Sequence, residues 1–267
     1  GAKGLLQLRL RASGANQALP PGLATSVPNP LWQLIWALGQ IKSEQEEILI
    51  EGFYDAVEGP SSDENKAMRQ LHMDEAGRLS AWALPHFLFE LGGASLVRTE
   101  ATLPTCNVTD LVVEPASDLP LIPVAASARL DFQLVPRQHP QVIADMLREH
   151  LDAKGLADIA IERLPGSYPG VHTPFEHQFI QRVHDAATAL YGGPLALLPQ
   201  GPFAQPLYFF AEALRVPVVV LGCARADCAA NAPNEHIALA DLVRHGQLLV
   251  ELLAACAQDA SVHDSIA

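Results

Sequence analysis

Histidine and acidic side chains are considered first, because these residue types bind metal ions and transfer protons. The sequence contains 10 histidines. Two of them, His177 and His184, lie seven residues apart on one face of a predicted helix, and His172 precedes them in a linker. No Asp or Glu set with metal-ligand spacing accompanies these histidines. We therefore interpret them as surface residues rather than as a metal site.

A second group of polar residues follows the apolar segment 216–221. Ligands of α/β folds bind in the loops at the carboxyl ends of the strands, and Asp227, Glu235 and His236 fall in such a loop. Glu235 has the chemistry of a general base, although a solvated or loop-bracing carboxylate is the more frequent role of such a residue. Two neutral polar side chains without an evident partner are Asn107 and Asn231.

Self-contained catalytic and nucleotide-binding motifs are absent from the sequence. It has no GxSxG, GxxxxGK[ST], GxGxxG or HExxH run. Lys and Arg number 17 against 30 Asp and Glu, which gives a net charge of -13, and the basic residues are scattered. A phosphate backbone would be repelled by this charge, so we exclude nucleic acid as a partner.

The composition indicates a globular protein, with 49% hydrophobic and 18% charged residues. The longest stretch without polar residues, 216–224, is far shorter than the roughly 20 residues of a membrane-spanning helix, so we expect no membrane association. The 4 cysteines lack paired short spacings. This pattern favours reduced thiols, with Cys223 and Cys228 in packing roles, and a cytoplasmic location.

The first two thirds of the sequence predict strands and helices in a defined order. Strict alternation predicts a strand at Leu5–Arg11, and Asn29 with Pro30 begins a helix that carries Trp32 and Trp36. Either tryptophan fits the core or an interface, and we expect the core for one of them. The remaining predicted elements are strands at 108–113 and 124–135, a helix from Pro140, and a strand at 159–164. This order is that of the ferredoxin-like α+β fold.

The last third predicts a different, α/β arrangement beyond a linker at 165–174. Its predicted elements are helices at 175–191, 205–214 and 239–256 and strands at 195–198 and 216–221. Two strands cannot complete a sheet that is covered on both faces, so the other strands must come from elsewhere. We predict two domains, 1–168 with an insertion at about 44–103, in which Ser61 and Ser62 begin a helix, and 169–267.

Five short motifs resemble one known family in their order and spacing. They are Ser26-Val27-Pro28-Asn29-Pro30, Gly52-Phe53-Tyr54-Asp55, Pro104-Thr105-Cys106-Asn107, Ile122-Pro123 with Leu130 to Pro136, and Asn231-Ala232-Pro233-Asn234-Glu235. The chain resembles the di-zinc aminoacylase, carnosinase and glutamate carboxypeptidase family of metallopeptidases. The resemblance implies a ferredoxin-like lid, which dimerises, followed by the C-terminal part of a zinc-peptidase-like α/β domain.

The resemblance also implies that the metal-binding residues lie mainly in an N-terminal half that this chain does not contain. One metal ligand of the family, the histidine of a His-Ala-Pro-Asn-Glu run, corresponds to Asn231, and an amide oxygen is a weaker zinc ligand than imidazole. The lid histidine that stabilises the oxyanion corresponds to Pro20, which has no donor. We therefore expect no metal or cofactor in this chain and assign no catalytic residue.

Substrate-binding positions implied by the resemblance are substituted as well. The arginine that contacts the substrate carboxylate corresponds to Gln133, and a Gly-Ser-Gly-Pro turn corresponds to Phe203–Pro206. A glutamine cannot form a bidentate charged pair, and the glycines have gained side chains. The remaining candidates for substrate binding are Asn107, Gln133, Gln205, Asn231 and Glu235.

These substitutions predict a metallopeptidase-like chain of dipeptidase or aminoacylase type that is catalytically impaired on its own. We expect it to act as a scaffold that forms a homodimer through the lid. The alternative is the C-terminal portion of an active zinc-dependent peptidase or amidohydrolase for dipeptides or N-acyl amino acids. In that case its N-terminal metal-binding half is missing from this chain or is a separate polypeptide.

Overall fold

The computed structural model describes residues 1–193, 195–225, 227–230 and 232–264. The chain divides into two compact units. The first unit comprises residues 1–60, 98–172 and 200–216. The second unit comprises residues 61–97, 173–199 and 217–267.

A four-stranded antiparallel sheet forms the centre of the first unit. Its strands are β1 (Gly4–Ser13), β2 (Thr105–Glu114), β3 (Ala125–Leu134) and β4 (Ala160–Arg163), in the spatial order β2-β3-β1-β4. Helix α1 (Pro30–Ile41) connects β1 to the later strands, and helix α5 (Pro140–Ala153) connects β3 to β4. The predicted ferredoxin-like order and the mixed α/β fold class are therefore confirmed.

The alternating side chains of β1 explain why one face of the sheet is buried. Leu6, Leu8 and Leu10 are fully buried, whereas the residues between them are partly exposed. On β3, Leu130 and Phe132 belong to the same hydrophobic core. Successive side chains of a strand point to opposite faces, so this pattern leaves a second, open face lined by polar residues.

Helices α1 and α5 supply the rest of this core. The Asn29 side chain accepts a hydrogen bond from the Leu31 N–H (2.9 Å) at the start of α1, as the sequence predicts. The core residues of the two helices are Leu34, Ala37, Ile41, Ile143, Leu147 and Leu151. The expectation that one tryptophan of α1 is buried is wrong. Trp32 and Trp36 are 55% and 57% exposed and stack on each other, because both project from the outer side of the helix.

Gln138 connects two of the sequence motifs inside this unit. Its side chain is buried, its Oε1 accepts from the Val135 N–H (3.1 Å), and its Nε2 donates to the Phe53 carbonyl (2.8 Å). Phe53 in turn contacts the Phe132 ring, with 6.1 Å between ring centroids. A buried amide that satisfies two backbone groups fixes the loop at Phe53 against the end of β3.

Helices dominate the second unit. They are α2 (Ser62–Gln70), α3 (Glu75–Ala81), α4 (Gly93–Thr102, whose last turns lie in the first unit), α6 (Gln178–Tyr191) and α8 (Leu239–Asp264). Ser61 and Glu64 form the capping box that begins α2, which confirms the predicted start of this helix. The core between α6 and α8 consists of Val183, Ala187, Leu248 and Leu252.

The predicted strands at 195–198 and 216–221 are not strands in the structure. Pro217 lacks an N–H group, and no backbone hydrogen bond in the described part of the chain pairs the segment 216–221 with a neighbour. Its polar contact is to Thr173, whose hydroxyl donates to the Val218 carbonyl (2.8 Å) and accepts from the Val218 N–H (2.9 Å). An extended apolar segment without a partner strand cannot form a ladder.

Two predicted helices also begin later than expected. Helix α6 begins at Gln178 rather than at 175 because the His177 side chain caps it through the Phe179 N–H (3.1 Å). Helix α7 (Tyr208–Leu214) begins three residues after the predicted start at 205. Among the helices of the described residues, none combines the length and apolar character that crossing a membrane requires.

Candidate functional site

A polar network lies on the open face of the sheet, where β1 and β3 pair. Gln7 is opposite Asp131, and its Nε2 donates to Asp131 Oδ2 (3.1 Å). Gln133 Nε2 donates to the other carboxylate oxygen, Oδ1 (2.7 Å). Both oxygens of the Asp131 carboxylate therefore accept hydrogen bonds from neutral amides within the sheet.

Both the oxygen and the nitrogen of the Gln133 side-chain amide form hydrogen bonds. Its Oε1 accepts a hydrogen bond from the Ala204 N–H (2.7 Å), while its Nε2 is bonded to Asp131. The segment around Ala204 is held further by the backbone of Lys3, which donates to the Phe203 carbonyl (3.3 Å) and accepts from the Gln205 N–H (3.2 Å). Gln133 therefore acts as a brace for residues 203–205.

Asn107 and Gln205 lie near this network in the same unit. Asn107 is exposed on β2 and lies opposite Asp131 in the sheet register. The Phe203 side chain is 73% exposed. The structure therefore brings together three of the predicted substrate-binding positions, Asn107, Gln133 and Gln205, at one end of the open face.

Tyr168 borders the same region. Its side chain is 8% exposed, and its backbone pairs with that of Leu5. Burial raises the pKa of the Tyr168 hydroxyl, and the negative charge of Asp131 raises it further. A phenol with a raised pKa stays protonated, so the Tyr168 hydroxyl keeps its donor proton.

Pro20 lies before a short 3-10 helix formed by Pro21–Thr25. It is exposed, and its carbonyl accepts a hydrogen bond from the Leu23 N–H (3.1 Å). Neither the ring nor the backbone nitrogen of a proline donates a hydrogen bond. At this position the chain therefore offers a carbonyl acceptor and no donor.

The second predicted cluster belongs to the other unit, and the nearby candidate Asn231 lies outside the described residues. Asp227, Glu235 and His236 are exposed in a loop of successive turns. His236 donates from its backbone N–H to the Cys228 carbonyl (2.9 Å). The hydrogen bond from Arg225 lowers the pKa of Asp241 at the base of the loop.

The donor set of the described residues does not fit a zinc pair. No group of three or more His, Cys, Asp and Glu side chains is arranged around a common point in the parts of the chain that the structure describes. A catalytic zinc ion needs three protein ligands of this kind. The two histidines that share a helix face in the sequence have contacts within the protein. His177 caps α6, and His184 contacts Asp185 (3.5 Å).

Two residues of this region, Lys3 and Asp131, were not predicted. The Lys3 side chain is 1% exposed, and its Nζ donates to the carbonyls of Glu100 and Leu103 (2.7 Å each). Burial lowers the pKa of Lys3 to about 8, and the charge of Glu100 raises it in part. The alternation of β3 was the available signal for Asp131, because it places residues 131 and 133 on one face.

Comparison with solved structures identifies the fold. Residues of this chain match Sso-CP2 from Sulfolobus solfataricus, an M20 family metallo-carboxypeptidase, with a TM-score of 0.85 and 25% identity over 95% of this chain. The di-peptidase Dug1p from Saccharomyces cerevisiae matches with a TM-score of 0.78 and 17% identity over 95% of this chain. Human carnosine dipeptidase 1 matches with a TM-score of 0.75 and 18% identity over 94% of this chain.

The chain spans little more than half of these solved structures, namely 58% of the first and 54% of the other two. A search of curated proteins gave no match. The sequence profile described as peptidase family M20/M25/M40 matches residues 27–255, which is most of the chain. The profile and the fold agree with the resemblance of the five motifs, and the chain belongs to peptidase family M20/M25/M40.

Proposed function

We propose that this chain is a metallopeptidase-like protein of dipeptidase or aminoacylase type that is catalytically impaired and serves as a dimerising scaffold. The observation that carries the proposal is the engagement of Gln133. Its amide is bonded to Asp131 and to the Ala204 N–H, at the position that the resemblance assigns to an arginine for the substrate carboxylate. An arginine has no acceptor, so it could not bond the Ala204 N–H in this way.

The chemistry of three further positions supports the same proposal. Pro20 presents no donor at the position of the oxyanion-stabilising histidine, and loss of one such donor typically costs a factor of about 100 or more in rate. Phe203 and Gln205 carry side chains where the resemblance expects glycine. The described residues supply no ligand set for zinc. We therefore expect the chain to bind neither zinc nor a peptide carboxylate with the affinity of an active peptidase.

The direct test is hydrolysis by the full chain. Purified protein should release no product from dipeptides or N-acyl amino acids, with or without added Zn²⁺, and elemental analysis should find less than one bound zinc per chain. Turnover that follows zinc occupancy in this preparation would contradict the impaired assignment.

Replacing Gln133 by Arg tests the bracing role. The Ala204 N–H loses its acceptor, so we expect its hydrogen exchange to become about tenfold faster or more, as the loss of a buried hydrogen bond permits. Backbone amide exchange measured by NMR or mass spectrometry reports this change, and no peptidase activity should appear. Gln45→Arg, in an exposed turn of the same unit, is the matched control. Equal exchange at Ala204 in both variants would show that Gln133 is not a brace.

A homodimer through the first unit is supported by two exposed surfaces of that unit. Helix α1 exposes Trp32, Ile35 and Trp36, which follow helical spacing along one face. Strand β2 lies at an edge of the sheet and exposes Val108, Leu111 and Val112. An edge strand and an apolar helix face are both surfaces suited to pairing with a second copy across a two-fold axis.

Trp36→Glu should dissociate this dimer. A carboxylate placed in an apolar contact must be desolvated without a partner, so we expect the dimer dissociation constant to rise at least about tenfold. Light scattering after size-exclusion chromatography measures the mass at several concentrations. The control is Leu119→Glu, at a side chain that is 69% exposed in the β2–β3 connection. A wild-type chain that is monomeric at all concentrations would contradict the scaffold proposal.

The alternative function is the C-terminal portion of an active zinc-dependent peptidase or amidohydrolase. The coverage of 58% of a metallo-carboxypeptidase that is 25% identical favours it, because the chain matches only part of that protein. A separate or preceding metal-binding half would then complete the site. The coding sequence upstream of Gly1 discriminates the two proposals: a His-x-Asp run and a Glu-Glu pair there would favour the active enzyme.

A cytoplasmic location is supported by the cysteines. All 4 are free, and burial raises the pKa of the Cys106 thiol to about 12. A thiol that stays protonated is protected from oxidation and exchange. Thiol labelling of the native protein should therefore modify the exposed Cys256 and leave Cys106 unmodified.

A further inference from the structure

Two arginines face each other on the open side of the sheet, at the next same-face position after the Gln7–Asp131 pair. Arg9 on β1 is the direct cross-strand partner of Arg129 on β3, and Asp110 on β2 lies opposite Arg129 on its other side. Cross-strand partners have Cβ atoms about 4.5–5.5 Å apart, and like charges at this position destabilise a sheet. Such a pair is favourable only where negative charge lies between or beside the two guanidinium groups.

Carboxylates of the chain compensate part of this positive charge. Arg9 contacts Glu162 on β4 (2.7 Å), and Arg11 forms a bidentate contact with Glu114 (2.6 and 2.9 Å). For the exposed side chain of Arg129, the structure gives no hydrogen bond or ion pair within the described residues, although Asp110 is its neighbour. Arg9 donates a single hydrogen bond to Glu162 and retains further N–H donors.

A groove of about 340 Å³ lies between these side chains. Its lining residues are Arg9, Arg11, Asp110, Val112, Glu114, Ser127 and Arg129. Ser127 is opposite Arg11 in the register and is only 8% exposed, so its hydroxyl lies at the floor of the groove. The groove therefore combines three guanidinium groups, of which that of Arg11 is paired with Glu114, with the Asp110 carboxylate and a hydroxyl donor, in a chain whose net charge is -13.

We propose that this groove binds a phosphate group, carried by a small phosphorylated molecule, between Arg9 and Arg129 with Ser127 at its floor. Guanidinium groups donate to phosphate oxygens in a bidentate geometry, and a tetrahedral dianion has oxygens for both arginines and for the hydroxyl at once. Its two negative charges also offset the repulsion between the facing arginines. A planar monocarboxylate has fewer oxygens and less charge, so it should bind more weakly. The proposal is independent of the peptidase-like site, because none of these residues belongs to it.

Titration of the full chain with inorganic phosphate in a calorimeter tests the site. We expect one phosphate per chain, an affinity that falls as NaCl is added, and acetate binding at least about tenfold weaker. Arg129→Gln should weaken phosphate binding at least about tenfold, because it removes a charged donor pair. Circular dichroism of the variant confirms that it is folded.

Arg163→Gln is the matched control. Arg163 is also a sheet arginine, on β4, but its guanidinium reaches Gln141 of α5 on the helix-covered side. Its replacement removes the same charge and should change the phosphate affinity by less than about twofold. Three results would overturn the proposal: no phosphate binding by the folded wild type, equal weakening by the two variants, or acetate binding as tight as phosphate binding.

Discussion

Replacing Phe132 by Ala should lower the free energy of unfolding of the first unit by about 3–5 kcal/mol. Phe132 is fully buried near the C-terminal end of β3, and its ring centroid lies 6.1 Å from that of Phe53. The substitution leaves a cavity between the sheet and the loop that Gln138 holds, and neither can close it without breaking backbone hydrogen bonds. Urea denaturation in a Trp82→Phe background, in which Trp32 and Trp36 are the fluorophores, measures the loss in this unit.

Phe210→Ala is the control for this prediction. Phe210 lies on α7 in the same unit and is 59% exposed, so its truncation should change the stability by less than about 1 kcal/mol. A similar loss in both variants would mean that the core centred on Phe132 does not determine the stability of the unit.

Alternation and capping made the first unit predictable from the sequence. The pattern of Leu6, Leu8 and Leu10 fixes which face of β1 is buried, and Asn29 with Pro30 fixes the start of α1. These are local signals, since each depends on residues within one element. The order of strands and helices along the chain then predicts the ferredoxin-like antiparallel sheet.

The segment 216–221 shows where local signals fail. Its apolar composition predicts a buried strand, but a strand is defined by its hydrogen-bonded neighbours. Within the described residues it has the Thr173 hydroxyl instead of a neighbouring strand, and Pro217 removes one donor. The composition shows that the segment is apolar, whereas strand pairing depends on residues far away in the sequence.

The sequence predicts which residues lie at the candidate site, but it does not predict which groups they contact. The resemblance places Gln133 among the substrate-binding residues, and strand alternation adds Asp131 to its face. The partner of Gln133 is the Ala204 N–H, which is 71 residues away in the sequence. No motif encodes that contact, because a backbone N–H is the same in every residue except proline.

Lys3 is the clearest case of a residue whose role only the tertiary structure shows. Helix α4 ends at Thr102, and its Glu100 carbonyl would ordinarily accept from the N–H of residue 104. That residue is proline and has no N–H. The Lys3 ammonium replaces the missing donor and bonds the Glu100 and Leu103 carbonyls (2.7 Å each). A positive charge is also favourable at the C-terminal end of a helix.

The buried ammonium of Lys3 should make the stability of the first unit depend on pH. Burial lowers its pKa from 10.5 to about 8 in the folded protein. Between these values the unfolded chain binds the proton and the folded chain does not, so the free energy of unfolding rises with pH. From pH 7 to pH 10 this contribution should amount to roughly 2–3 kcal/mol in favour of the folded state.

Lys3→Met isolates this effect because it removes the titrating group and keeps a long apolar side chain. At pH 7 the variant loses two hydrogen bonds but no longer buries a charge, and these changes oppose each other. As the pH rises to 10, the wild type alone gains stability, so the free energy of unfolding of the wild type minus that of the variant should rise by the same roughly 2–3 kcal/mol. Urea unfolding of both proteins at several pH values measures it, and other titrating groups cancel in the comparison.

The control Lys154→Met removes an exposed lysine at the end of α5. A difference between wild type and Lys3→Met that stays constant from pH 7 to 10 would show that the buried amine does not titrate in this range.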